Sequence, residues 1–130
     1  MKGKAFVDGG ARGNPGPAGA GAVLDGEQPL AISEYLGEAT NNVAEYTALL
    51  LLLRRALESG YDELEVFADS ELMVRQINGQ YKVKDAKLRE LFFQATELIA
   101  KLKKFSLAHI PREQNQAADR LVNEAIDRAC

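Results

Sequence analysis

Apolar and polar positions along this chain switch between a period near two and a period near 3.6, and the switches mark its elements. Lys4–Asp8 reads as a strand ending in a Gly-rich turn, GGARGNPGPAG. Gly21–Leu24 forms a second strand with a turn near Asp25-Gly26, and Leu30–Leu36 alternates roughly as a third. Short turns join these three, which favours an antiparallel meander. Over Asn42–Glu58 the period becomes helical. Val43, Tyr46, Leu49, Leu50 and Leu53 share one face, and Leu51 and Leu52 widen it nearly all round. A helix apolar on most sides is buried between layers, and Gly60 suits its C-terminal stop. Leu64–Ala68 is a short buried strand, followed by a helix from about Ser70 to Ile77 that Asn78-Gly79 breaks. Ala86–Leu102 is a long amphipathic helix with Leu88, Leu91, Phe92, Ala95, Leu98, Ile99 and Leu102 inward. Phe105–Ile110 is a fifth strand, Pro111 ends it, and Gln114–Ala129 is the last helix.

The order is therefore βββαβααβα. The last two strands are each reached through helices, so they are expected to lie parallel to the first. That makes an α/β fold: a mixed five-stranded sheet with helices on both faces. No linker, repeat or low-complexity tract interrupts it, and residues 1–130 are expected to form a single domain.

Composition narrows the class. With 46% apolar residues, 130 residues can bury a core without staples. The one cysteine, Cys130, excludes an internal disulfide framework and permits an adventitious disulfide dimer; monomer is the default expectation. The start, MKGKAFVDGG, has no apolar signal segment, and the longest apolar run, Ala48 to Leu53, is far too short to span a bilayer. A soluble cytoplasmic protein with no membrane partner is the expectation. Net charge is −3, yet the halves differ: residues 1–70 carry 5 basic and 11 acidic side chains, and residues 71–130 carry 11 and 8. An acidic region beside a basic one can hold a metal and steer a polyanion, although uneven surface charge alone gives the same count.

Four acids stand at element boundaries without a local basic partner: Asp8 in AFVDGG, Glu45 in TNNVAEY, Asp69 in VFADS and Asp119 in NQAAD. Each has a plainer explanation. Asp8 can initiate a turn. Glu45 can close a capping box with Asn42, Asp69 can N-cap the next helix, and Asp119 can lie on a solvated face. Brought together, two such charges about 4 Å apart repel by about 4 kcal/mol at an effective dielectric near 20. Some of them would then titrate high unless cations balance them. An all-oxygen donor set suits Mg²⁺ or Mn²⁺ rather than Zn²⁺. Two such ions would balance the formal charge of the four, and the usual work of that arrangement is displacement at phosphorus. No covalent nucleophile is evident, so water is the expected attacker. His109, the only histidine, precedes the loop Ile110-Pro111-Arg112 and can shuttle a proton from there or simply end a strand. The Gly-rich turn lacks GxxxxGK[ST] and is not a P-loop.

Four segments in order, DGGARGNPGPAGAGAVL, TNNVAEYTALL, DSELMVRQ and HIPREQNQAAD, resemble the motifs of ribonuclease H type 1 over about Phe6 to Ala125. The resemblance implies sheet order 3-2-1-4-5 with strand 2 antiparallel. It implies two Mg²⁺ or Mn²⁺ ions on a quartet formed by Asp8, Glu45, Asp69 and Asp119, with His109 serving proton transfer or product release. It implies hydrolysis of the RNA strand of RNA–DNA hybrids, giving 5′-phosphate and 3′-hydroxyl ends. Gly9, Gly10 and Ala11 should approach the RNA 2′-hydroxyls, the group that distinguishes RNA from DNA. Asn14, Asn41 and Asn42 fall near the hybrid's minor groove, and Glu71 and Asn115 are further expected substrate contacts. Glu71 stands where many members carry Gln. The stretch Asn78–Lys87 has Lys82, Lys84 and Lys87 but no tryptophan, and is shorter than the basic protrusion of some members. Fewer phosphate contacts and a shallower salt dependence follow. Two other readings remain: a hybrid- or RNA-binding module that has lost catalysis, and a related-fold DNA nuclease such as a junction resolvase.

Overall fold

The computed structural model describes residues 1–130. Its strands are β1 (Lys2–Ala11), β2 (Gly16–Asp25), β3 (Leu30–Ala39), β4 (Glu63–Ala68) and β5 (Lys104–His109). Its helices are α1 (Asn41–Glu58), α2 (Glu71–Ile77), α3 (Ala86–Ile99) and α4 (Gln116–Ala129), with a short 3-10 turn over Arg112–Gln114. The sheet order is β3-β2-β1-β4-β5. β2 runs antiparallel to β1 and β3, while β4 and β5 run parallel to β1. Element order, sheet order and strand directions are those expected.

The first three strands are longer than the sequence pattern gives. Most of the Gly-rich stretch is strand, and only residues 12–15 turn. Gly9 and Gly21 are bare because helices press directly on the sheet. A Cβ on Gly9 would overlap the backbone of Ala44 in α1, and one on Gly21 would overlap the carbonyl of Ala118 in α4. Side chains alternate across a strand, so β1 turns Ala5, Val7 and Gly9 toward α1 and Phe6, Asp8 and Gly10 toward α4. The central strand thus delivers Asp8 to the face that α4 covers.

The main core lies between the sheet and α1 with α3. Leu49, Leu52 and Leu53 are completely buried, each contributing about 1.5–3 kcal/mol by leaving water. Leu50 is buried too, which accounts for the nearly all-round apolar helix. On the opposite face α4 turns Ala118, Val122, Ala125 and Ile126 inward, an i, i+4, i+7, i+8 stripe. α3 stops at Ile99, so Leu102 packs from the following turn, and α4 begins at Gln116, after the 3-10 turn. No helix is long and apolar enough to cross a membrane.

Candidate active site

Asp8 sits near the end of β1, where the parallel neighbour β4 also ends. Val7 pairs with Ala68, and Asp69 follows directly. Carboxyl ends of parallel strands are where open α/β sheets place their ligands. Glu45 arrives from the second turn of α1. It is not a capping residue: Thr40 caps the helix, its side chain accepting from the Val43 N–H. Glu45 is buried, and its carboxylate accepts from the Gly9 N–H, which also approaches Asp8 Oδ1 at 3.0 Å. Asp69 does not cap α2, because Ser70 does, through the Met73 N–H. Released from the capping roles the sequence permits, Asp8, Glu45 and Asp69 bring carboxylate oxygens within 4.8 Å of one another. Asp119, half-buried in the first turn of α4, lines the same cleft of about 610 Å³.

The electrostatics follow from that crowding. Burial pushes the Asp8 carboxyl up to about 7; a hydrogen bond with Glu45 draws it down, and the charges of Asp69 and Asp119 add to the rise. Burial also holds Glu45 well above the usual carboxylate range, with the Asp8 charge next in effect. Two buried acids that resist ionising beside two more acids form a site short of positive charge. The donors are all oxygen, without His or Cys in the group, which fits a hard divalent cation.

The rest of the cleft is built around the β1–β2 turn. Ala11 N–H donates to Asn41 Oδ1 at 2.8 Å, and Asn41 N–H donates to Asn14 Oδ1 at 3.0 Å. Gly9, Gly10, Ala11, Asn41 and Asn42 line the cleft, whereas Asn14 supports it from behind through Asn41. On the other flank Arg12 clamps the turn to α4, 2.7 Å from Asp127 and 3.3 Å from Asn123 Oδ1.

Three expected residues stand elsewhere. Glu71 is an exposed partner of Arg75 at 3.3 Å and does not line the cleft. His109 is exposed at the end of β5, paired in register with Ala68, and does not line the cleft either. Asn115 is 1% exposed rather than open to a substrate. Its Nδ2 donates to the Val7 carbonyl at 2.8 Å and to Asp69 Oδ2 at 3.4 Å, so it ties the ends of β1 and β4 together. A buried amide nitrogen needs such partners, while Asn115 Oδ1 is buried without one. The sequence pattern does not reveal Arg12, Ser70, Arg112 and Asn123 among the lining residues. They sit in turns or on an exposed helix side, where no periodicity marks them.

A family profile described as "Reverse transcriptase-like" matches residues 6–125. A solved N-terminal RNase H domain of rv2228c from Mycobacterium tuberculosis superposes with a TM-score of 0.94 at 42% identity, covering 98% of this chain and 100% of that one. The chain belongs to the ribonuclease H family. Ribonuclease HI of Halobacterium salinarum is 42% identical over 128 residues, which are 96% of this chain and 64% of that protein. The bifunctional protein Rv2228c is matched over 35% of its length, so the chain spans less than two thirds of these curated relatives. LC11-RNase H1, solved in complex with an RNA/DNA hybrid, has a TM-score of 0.91 and 48% identity, covering 98% of each chain. Ribonuclease H membership carries divalent-metal use with it, and the carboxylate cluster supplies a donor set.

Proposed function

We propose that this chain hydrolyses the RNA strand of RNA–DNA hybrids, leaving 5′-phosphate and 3′-hydroxyl ends. The observation that carries this is the convergence of Asp8, Glu45 and Asp69 within 4.8 Å, in a cleft also lined by Asp119 and by the Asn41-Asn42 pair. Two Mg²⁺ or Mn²⁺ ions held by the four acids would supply the positive charge that lets water attack a phosphodiester and its 3′-oxygen leave. The protein's own part is to hold those acids still. Gly9 N–H fixes Glu45, Asn115 fixes Asp69, and the sheet fixes Asp8. Selectivity for RNA falls to the Asn41 and Asn42 side chains and the cleft wall at Gly9–Ala11. The N–H groups of Gly9 and Ala11 are already engaged by Glu45 and Asn41. A pure binding module gains nothing from buried acids set against phosphates, which disfavours a non-catalytic role.

The test is cleavage of a labelled hybrid with Mg²⁺, Mn²⁺ or EDTA, beside double-stranded DNA, double-stranded RNA and a four-way junction. Metal-dependent cutting of only the hybrid's RNA strand is expected. Cutting of the junction or of duplex DNA instead would move the chain to the DNA nucleases. Replacing His109 with alanine is expected to slow turnover without abolishing it, as for a residue that helps move protons from outside the cleft. Unchanged turnover at saturating hybrid would make His109 a strand-end residue only.

A further inference from the structure

Four polar or charged residues are buried: Asp8, Glu45, Asn115 and Gln76. Asp8 and Glu45 line the cleft, and Asn115 holds Asp69 beside it; Gln76, on α2, does not line it. Its Oε1 accepts from the Tyr46 hydroxyl at 2.6 Å, and its Nε2 donates to the Lys82 carbonyl at 3.3 Å. Tyr46 is itself 1% exposed, and it directly follows Glu45 on α1. An apolar pair of similar volume would fill this space without desolvating anything, and such replacements are often neutral or stabilising. Stability alone therefore gives little reason for the polar pair.

What the pair fixes is the segment between α2 and α3. Its backbone is pinned from several sides: Gln80 and Tyr81 N–H donate to the Arg75 carbonyl, and Arg89 Nε donates to the Val83 carbonyl. Tyr81, Lys82 and Lys84 remain exposed on it, and the Arg75 guanidinium lies 5.3 Å over the Tyr81 ring. With Arg89 and Phe93 they line a groove of about 320 Å³. Phe93 is the most exposed large apolar side chain of the molecule. Cations interleaved with aromatic faces suit one strand of nucleic acid, phosphates on the former and bases or sugars on the latter.

We propose that Gln76 is a positioning residue: through Tyr46 and the Lys82 carbonyl it sets this aromatic–cationic groove at a fixed spacing from the carboxylates, for a strand of the hybrid that runs beyond the cleft. The inference rests on the hybrid being the substrate. The test is the double variant Tyr46→Phe/Gln76→Met, which removes the buried hydroxyl and amide together and frees the Lys82 carbonyl. KM for the hybrid is expected to rise about tenfold with kcat within about twofold of wild type, as for lost uniform binding. The slope of log KM against log salt should fall by about one to two, at about 0.9 per phosphate contact on duplex DNA and less on a single strand. Lys82→Ala should raise KM in the wild-type background and much less in the double variant, since the lysine is then already misplaced. A folded double variant with wild-type KM and salt slope overturns the proposal. If that variant is unfolded, Gln76→Glu gives the reading, because it keeps the acceptor for Tyr46 and loses the donor to Lys82. An unchanged KM in Gln76→Glu overturns the proposal equally. A wild-type chain that cuts no hybrid overturns the assigned function, a result seen before any variant is made. Equilibrium binding of hybrid in EDTA then gives the same comparison as Kd.

Discussion

Asp8→Asn should abolish hybrid cleavage and, in metal-free buffer at pH 8, raise the melting temperature. The two effects have one cause. Asp8 is buried beside Glu45, Asp69 and Asp119, and its pKa rises from the ordinary 3.8 to about 7. Between those values the folded chain holds a proton that the unfolded chain has released. Stability from this group is therefore complete below about pH 4 and is lost as pH climbs through about 7. A tenfold change in proton affinity is worth about 1.4 kcal/mol. Removing the charge should return about 2–4 kcal/mol at pH 8, about 8 °C or more for a chain of this size. The gain should vanish at pH 4, where the wild-type carboxyl is already neutral. Cleavage should fall by at least about 10³-fold, some 4 kcal/mol of barrier. Thermal melts at pH 4 and pH 8, with and without Mg²⁺, measure all of this beside the cleavage assay. Mg²⁺ should raise the wild-type melting temperature at pH 8 and the variant's much less. A variant that still cuts would remove Asp8 from the catalytic group. A wild-type melting curve indifferent to pH would deny the burial that sets its pKa.

Gly9→Ala should be among the most damaging one-carbon changes in the chain. The new Cβ would overlap the Ala44 carbonyl and press on the Glu45 amide, both backbone groups of α1 that have no rotamer to yield. Either α1 lifts from the sheet or β1 bends away. Overpacking of this kind costs about 1–3 kcal/mol, and more where backbone meets backbone; about 3 kcal/mol is the expected loss. Both routes move Glu45 from Asp8, and a displacement of about 1 Å can cost about 10² in rate. The neighbouring Gly10→Ala is the control. Its Cβ would lie 3.7 Å from Val122, an ordinary contact, so its melting temperature should stay near wild type. Equal losses at the two positions would mean that the close approach of α1 does not set the site.

The difference between those two glycines is also where the sequence stops being legible. Strands, helices and their order follow from periodicity, because each element has one wet and one dry side. The run GGARGNPGPAG defeats that logic. Glycine signals a turn, yet Gly9, Gly10 and Gly16 lie in strands, and Gly9 and Gly16 are kept bare where neighbouring backbone approaches closely. Local pattern holds no record of a helix arriving from 35 residues away. The acids show the same limit. Asp8, Glu45, Asp69 and Asp119 each fit a local role, and only tertiary geometry takes Glu45 and Asp69 out of their caps, which Thr40 and Ser70 occupy. What makes the quartet visible is the family resemblance of four segments in order, joined with the absence of basic partners. Asn115 escapes the pattern for the opposite reason. An amide before a helix looks like a surface group, and its burial between β1 and β4 depends on both strand ends.

Asp8, Glu45 and Asp119 come from β1, α1 and α4, and Asp69 from the connection between β4 and α2, so Asp8 and Asp119 lie far apart along the chain. No fragment lacking either β1 or α4 holds them all. β1 leaves the ribosome before α4, so under the proposed function a nascent chain would be inert toward surrounding nucleic acid until the sheet has closed and α4 has seated. A copy in which α4 has melted away would be silenced in the same manner. Under the proposed function, correct folding would itself be the licence to cut.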